Sequence, residues 1–248
     1  MMKMKGGEAA TIWTDEHDPR VRYRISDRAR RVSLKVQASE RRVEVVVPGR
    51  RAVAEAERFV RAQADWIDVH LEGLPPAQPF VPGGEIMLRG MPYGLGQPAG
   101  RGRPRIDHAG RRVMVPAPAG EFAGRTRRLL IREAREALET ATHHYADLID
   151  RRVAKISVRD TASRWGSSIT RPQSHAVPGT HISYSWRLVC APEFVLDYVC
   201  AHEVAHILQP NHSAAFWAVV DGIYDRTAEA KRWLKRHGAA LHAVGATH

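Results

Sequence analysis

The sequence contains only two cysteines, Cys190 and Cys200, among 248 residues. Two cysteines do not make the disulfide framework that is typical of small secreted proteins, so we expect a reducing compartment. No apolar run approaches the roughly eighteen residues that span a bilayer. Residues 1–14 also lack the continuous hydrophobic stretch of a secretory signal. These absences predict a cytoplasmic protein that does not enter the membrane.

Aromatic residues are scarce at 7%, but hydrophobic residues make up 44% of the chain and charged residues 26%. These shares are ordinary for a globular protein and exclude a disordered, fibrous or collagen-like chain. The length is enough for one large domain or two small ones, each with a buried core.

Positive charge is in excess, with a formal net charge of +11. Between Arg20 and Arg51 eleven basic side chains stand against three acidic ones. The segment Gly100-Arg101-Gly102-Arg103-Pro104-Arg105 resembles the core of an AT-hook, in which arginines enter the DNA minor groove. Solvated charge from a biased composition is the simpler explanation of both features. The sequence therefore leaves nucleic acid, bound through Arg101, Arg103 and Arg105, as a possible partner.

Hydrophobic periodicity predicts an α+β chain with three parts: a polar leader (1–19), an N-terminal α+β lobe (20–120) and a mainly helical lobe with a small sheet (121–248). The first lobe is predicted to contain strands at Val21–Ile25, Arg31–Gln37, Val43–Val47, Glu85–Leu88 and Arg112–Val115, a helix at Arg51–Leu71 and a loop at Gln97–Gly110. The second is predicted to contain helices at Arg125–Val153, Pro192–Leu208, Ser213–Tyr224 and Thr227–His237, strands at Ile156–Arg159 and His181–Leu188, a turn at Arg164–Ser168 and a loop at Ile169–Thr180. No internal repeat is evident.

One motif carries chemistry: His202-Glu203-Val204-Ala205-His206. On a helix, residues four apart lie one above the other on the same face, so two imidazoles can bind one zinc ion. Glu203 lies about 100° around the helix, where it can reach a water molecule instead of the metal. The motif therefore predicts metal-assisted hydrolysis, in which Glu203 takes up a proton. The flanking residues are apolar nearly all round, and burying these polar groups without a metal would cost several kcal/mol.

A zinc site of this kind needs a third protein ligand and one open position. His212 follows the helix break at Pro210-Asn211 and is the predicted ligand. Asp221, Asp225, His175 and His181 remain alternatives. The metzincin pattern fails, because Gln209 replaces its glycine and no methionine follows Met114.

Several motifs together resemble the YgjP-like metallopeptidase family, which is related to the SprT-like and WLM zinc proteases. They are Arg164-Trp165-Gly166-Ser167, Ile182-Ser183-Tyr184-Ser185-Trp186-Arg187-Leu188, Ala191-Pro192, the histidine motif, Asn211-His212-Ser213 and Phe216-Trp217. The resemblance runs from about Val21 to Trp217 and is strongest in the second half.

The resemblance implies a zincin-like fold for residues 121–248, zinc held by His202, His206 and His212, and a catalytic Glu203. This sequence departs from the family pattern in two places. Ser168 replaces the cysteine that usually follows Trp-Gly-Ser, and the loop 169–180 is longer than usual. In zincins, a strand in the position of Ile182–Trp186 can pair with an extended peptide.

Arg164 and Tyr184 are predicted to contact the substrate, with either one as the oxyanion stabiliser. Trp165, Trp186 and Trp217 are predicted to pack around the site, and Cys200 to be buried on the opposite face of the helix. Two other functions stay open beside a metallopeptidase acting on peptides or proteins. One is hydrolysis of a nucleotide phosphoanhydride by the same zinc centre. The other is a DNA-associated protein, either one that cleaves DNA-bound proteins or a binding module with a structural metal.

Overall fold

The structure is a computed structural model that describes residues 12–118, 120–161 and 164–246. The chain forms two compact units, which divide after Pro76. The first eleven residues of the predicted leader lie outside the described residues. Within the described part of the leader, residues 12–14 form a strand.

The first unit is a four-stranded sheet covered by two helices. Its elements are β1 (Ile12–Thr14), β2 (Val21–Ile25), β3 (Ser33–Gln37), β4 (Arg42–Val47), α1 (Val53–Ala62) and α2 (Ala64–Glu72). The strand order is β1-β2-β4-β3, with β2 and β4 parallel and the outer pairs antiparallel. Alternate residues of the two central strands pack against the apolar stripe of the helices, which confirms the three strands predicted here.

The helix predicted at Arg51–Leu71 is in fact a short 3-10 turn followed by α1 and α2, which break at Gln63. The buried residues Val60 and Ile67 are seven apart, a spacing that a continuous helix would also give. Because no glycine or proline marks the break, periodicity did not reveal it.

The second unit begins with another four-stranded sheet. Its strands are β5 (Glu85–Leu88), β6 (Met91–Gly96), β7 (Arg105–Asp107) and β8 (Arg112–Met114), in the order β5-β6-β8-β7. The strand β6 was not predicted, since two glycines and a proline interrupt its pattern, and β7 lies within the predicted loop. This sheet has the same topology as the first one: two antiparallel hairpins joined by a parallel central pair.

The sequence predicted a lobe boundary at residue 120, whereas the chain divides into its two compact units between residues 76 and 77. The reason is packing. Inward side chains of the second sheet, such as Ile86, Leu88 and Val113, belong to the same hydrophobic core as the long helix that follows. A sheet that shares its core with the following helix folds with it, so the sheet belongs to the second unit.

The remaining elements are α3 (Phe122–Leu148), β9 (Val153–Arg159), β10 (Gly166–Arg171), β11 (Gly179–Ser185), α4 (Glu193–Ala205), α5 (Ala214–Ile223) and α6 (Thr227–His242). The segment predicted as a turn at 164–168 and a loop at 169–180 is largely a hairpin of β10 and β11, with a connection at 172–178. Helix α4 is buried around most of its circumference, as predicted. Among the described residues, none of the helices has the length and apolar character needed to cross a membrane.

Candidate metal centre

Two of the candidate ligands lie at the C-terminal end of α4. His202 is in its last turn and His206 follows directly after Ala205, the last helical residue. Their ring centroids are 5.0 Å apart. Nδ1 of His206 lies 3.0 Å from the backbone oxygen of Gln209, so this nitrogen donates and Nε2 is left free to bind a metal.

The third histidine is brought back by the connection between α4 and α5. Helix α4 has already ended at Ala205 when the chain reaches Pro210 and Asn211, and Ser213 begins α5 by accepting a hydrogen bond from the amide of Phe216. His212, between them, places its Nε2 atom 3.1 Å from Nε2 of His202. Across the three histidines, one ligand nitrogen from each ring lies within 4.8 Å of the others.

The alternative third ligands lie elsewhere. His175 and His181 pair with each other in the β10–β11 hairpin, and their ring nitrogens both face the backbone oxygen of Val177. Asp221 and Asp225 line a different cavity, beside His144. Among the described residues, only the three histidines form a group of potential ligands with this convergence.

The surroundings favour the neutral form of His202 and His206. Burial, together with the nearby His206, His212 and Lys231, lowers the pKa of His202 to about 4. Burial also lowers the pKa of His206, although the backbone oxygen of Gln209 opposes the shift. Neutral imidazole is the form that binds metal, so these two ligands need lose no proton at neutral pH.

The arrangement fits a tetrahedral divalent cation. Two ligand nitrogens about 2.0–2.1 Å from zinc are about 3.4 Å apart, close to the separation of the two Nε2 atoms. Two neutral imidazoles facing each other can share only one hydrogen bond, whereas a cation between them satisfies both lone pairs. Nδ1 of His202 is buried without a hydrogen-bond partner among the described residues, so this ring lacks the support that His206 receives.

Glu203 is 6% exposed and makes no hydrogen bond with the described residues. Burial raises the pKa of its carboxyl group to about 8, and the nearby guanidinium of Arg164 opposes this shift. A buried carboxylate beside a group of metal ligands is suited to accepting a proton from water.

Gly166 is the residue that makes room for this carboxylate. A Cβ atom at position 166 would lie 2.5 Å from Oε1 and 2.7 Å from the carboxyl carbon of Glu203. Any larger residue would therefore displace the side chain or the strand. Sequence reasoning quoted Gly166 within its motif but assigned it no role, because the contact joins residues 37 positions apart.

The three histidines and Glu203 lie in a cavity of about 560 Å³, and strand β10 forms its opposite wall. The sequence predicted that residues 182–186 would be the edge that pairs with a peptide. The strand order β10-β11-β9 instead makes β11 the central strand, already paired on both sides. The edge that faces the cavity is β10, with Gly166 through Thr170 along the wall.

The two predicted substrate contacts have different positions. Arg164 is exposed and lines the cavity. Tyr184 is fully buried on β11, and its hydroxyl group lies 2.9 Å from that of Thr142. The structure thus places Arg164 where a substrate would contact it, but not Tyr184. Ser168, at the family's cysteine position, also lines the cavity.

The predicted packing residues have different surroundings. Trp186 and Cys200 are fully buried, as predicted. Trp165 stacks on His242, with ring centroids 4.0 Å apart. Trp217 lies beside His212 and beneath the ammonium group of Lys231, 4.1 Å from its ring centre, a contact that sequence spacing could not reveal. Of these three tryptophans, Trp217 contacts the candidate ligands directly, through His202 and His212.

With this geometry established, the chain was compared with known proteins. The family model described as YgjP-like, metallopeptidase domain matches residues 30–237. The chain belongs to the YgjP-like family. No curated protein and no solved structure matches it. Membership in the YgjP-like family makes the chain a metallopeptidase-type hydrolase and implies a metal cofactor, for which the three histidines supply a ligand set.

Proposed function

We propose that the protein is a zinc-dependent peptidase in which His202, His206 and His212 hold the metal and Glu203 is the general base. The observation that carries the proposal is the convergence of three imidazoles beside a buried carboxylate that forms no hydrogen bond with a described residue. Three histidines leave the fourth position of a tetrahedral ion open, which distinguishes a catalytic site from a structural one.

Bound zinc would supply Lewis acidity to water and to the scissile carbonyl group. The chain's own residues do the rest. Glu203 takes a proton from the attacking water and passes it to the leaving amine nitrogen. Its apolar surroundings favour the protonated carboxyl group, which makes the carboxylate a stronger base for taking the proton from water. Gly166 has no side chain and so leaves the carboxylate the space that it occupies.

The substrate is proposed to be an extended peptide that adds to the free edge of β10. An edge strand offers backbone donors and acceptors at every second residue, so it binds peptide independently of side-chain sequence. The strand lines the same cavity as the ligands, so a peptide paired with it would pass close to the metal. Arg164, at the start of this wall, is placed to contact the carbonyl oxygen or an acidic side chain of the peptide.

The test is the substitution Glu203→Gln in full-length protein loaded with zinc. We expect bound zinc to stay at the wild-type ratio, because the ligands are untouched, and hydrolysis of casein to fall by about 10²–10⁴-fold. Glu193→Gln on the same helix is the matched control, since that glutamate is exposed and pairs with Arg89; it should keep activity. Unchanged turnover in Glu203→Gln would remove the residue from the mechanism. Turnover of nucleoside triphosphates without cleavage of casein would replace the peptide by a nucleotide substrate.

A further inference from the structure

A face of α3 outside the metal centre carries a row of arginines. Arg125, Arg128, Arg132 and Arg135 are spaced by three or four residues, so their side chains leave the helix within one quadrant. Arg125 pairs with Glu121, and Arg135 with Glu139. Arg128 and Arg132, between them, are exposed and have no acidic partner among the described residues.

The AT-hook-like segment lies beside this face. Arg132 donates a hydrogen bond to the backbone oxygen of Pro104, at 3.3 Å. The backbone of Gly102 lies against Pro116, whose own backbone oxygen accepts a hydrogen bond from Arg125. Two separate contacts thus bring the loop and the helix together within the second unit. We call the combined set the arginine surface; it consists of Arg101, Arg103, Arg105, Arg128 and Arg132.

All five guanidinium groups of the arginine surface are exposed, and none forms an ion pair with a described residue. Asp107 is the acidic residue closest in sequence to the AT-hook-like segment, and its carboxylate accepts a hydrogen bond from the backbone amide of Gly110. Glu133 on α3 is engaged by Arg89. Like charges held together without counterions repel each other, so this arrangement is stabilised when an anion binds.

We propose that the arginine surface binds the phosphodiester backbone of nucleic acid. Guanidinium groups match phosphate oxygens with two parallel hydrogen bonds, and several of them on one surface release the counterions condensed on a polyanion. An acidic protein fits less well, because protein interfaces usually have an apolar or aromatic centre. None of the large exposed hydrophobic residues in the described chain belongs to the loop 97–110 or to α3 between 122 and 136.

The experiment measures binding of full-length protein to a fluorescent DNA duplex by anisotropy at several salt concentrations. The variant Arg128→Glu/Arg132→Glu reverses two charges of the arginine surface. The matched control, Arg232→Glu/Arg236→Glu, reverses two exposed charges with the same spacing on α6, so its net charge is identical. Both variants should unfold at similar temperatures, which shows that neither change disrupts the fold.

We expect wild type to bind duplex DNA with an affinity that falls steeply with salt. The α3 variant should lose at least tenfold in affinity, and the slope of log affinity against log salt should become shallower by about two. Equal losses in both variants, or a wild type that at low salt binds neither the duplex nor RNA, would overturn the proposal. Tighter binding to polyglutamate than to duplex would show that the surface selects acidic protein and would overturn it too. A single-stranded RNA of equal length tells which nucleic acid is preferred, and binding to either supports the proposal. Casein hydrolysis is not measured here, so failure of this proposal leaves the peptidase assignment intact.

Discussion

Two histidines, His202 and His242, have similarly lowered pKa values but different neighbours. Burial lowers the pKa of both His202 and His242 to about 4, and each has a buried Nδ1 atom without a partner among the described residues. His202 faces two further imidazoles across a cavity, whereas His242 stacks nearly parallel on Trp165. A buried neutral histidine is therefore no sign of a metal site by itself. The convergence of ligand nitrogens makes the difference.

Metal binding should separate the two environments most strongly. His212→Ala removes one of the converging nitrogens, and we expect zinc affinity to fall by more than about a hundredfold, the upper end for loss of a mere supporting contact. His242→Phe preserves the ring stack on Trp165 and should leave zinc affinity unchanged. Competition with a chromogenic chelator measures both values.

The outcome that contradicts the metal centre is a pair of similar affinities. If His212→Ala binds zinc as tightly as wild type, His212 is not a ligand, and the metal has more open coordination positions than the one proposed. If His242→Phe loses zinc as well, zinc binding depends on the overall stability of the second unit and not on the converging nitrogens alone. Thermal unfolding without metal tells whether either substitution acts on the fold itself.

The metal centre also differs from the His242 stack in having the carboxylate of Glu203 beside it. The substitution Gly166→Ala tests the role of this carboxylate. The added methyl group must displace the carboxylate, since its position lies within 3 Å of three side-chain atoms of Glu203. Misplacing a catalytic group by about 1 Å costs about a hundredfold in rate. We expect kcat on a peptide to fall by this amount while zinc content is kept. Gly222→Ala, where nothing lies within 4 Å, is the control and should be fully active. Full activity in Gly166→Ala would show that Glu203 tolerates displacement.

The candidate metal centre could be predicted because the sequence features that point to it are local. The spacing of His202 and His206, the break at Pro210 and the cap at Ser213 each depend on a few neighbouring residues. The strand β2 alternates apolar and basic residues, and β4 is rich in valine. These features follow from helix and strand periodicity, so a single sequence suffices to find them.

The parts that were missed depend on contacts between distant residues. Gly166 and Glu203 meet only because β10 packs beside α4. The sequence motif that contains Tyr184 does not reveal that this side chain packs into the hydrophobic core, where its hydroxyl group lies beside that of Thr142 on α3. The lobe boundary was misplaced for a similar reason, since no local pattern tells which core receives the side chains of the second sheet.

The last comparison concerns the pH dependence of stability, to which His242 should contribute. In the folded protein burial lowers the pKa of His242 to about 4, with Arg187 contributing and Asp160 opposing, whereas an unfolded chain has the ordinary value of about 6.5. Between these values the unfolded state binds more protons, so the free energy of unfolding falls on acidification, by at most about 3 kcal/mol from this residue. His242→Phe should flatten that decline in urea unfolding between pH 7 and pH 4. His237→Phe, at an exposed position of the same helix, should keep the wild-type slope. Parallel slopes in all three proteins would mean that His242 is protonated as easily in the fold as in water, and that the stack on Trp165 admits solvent.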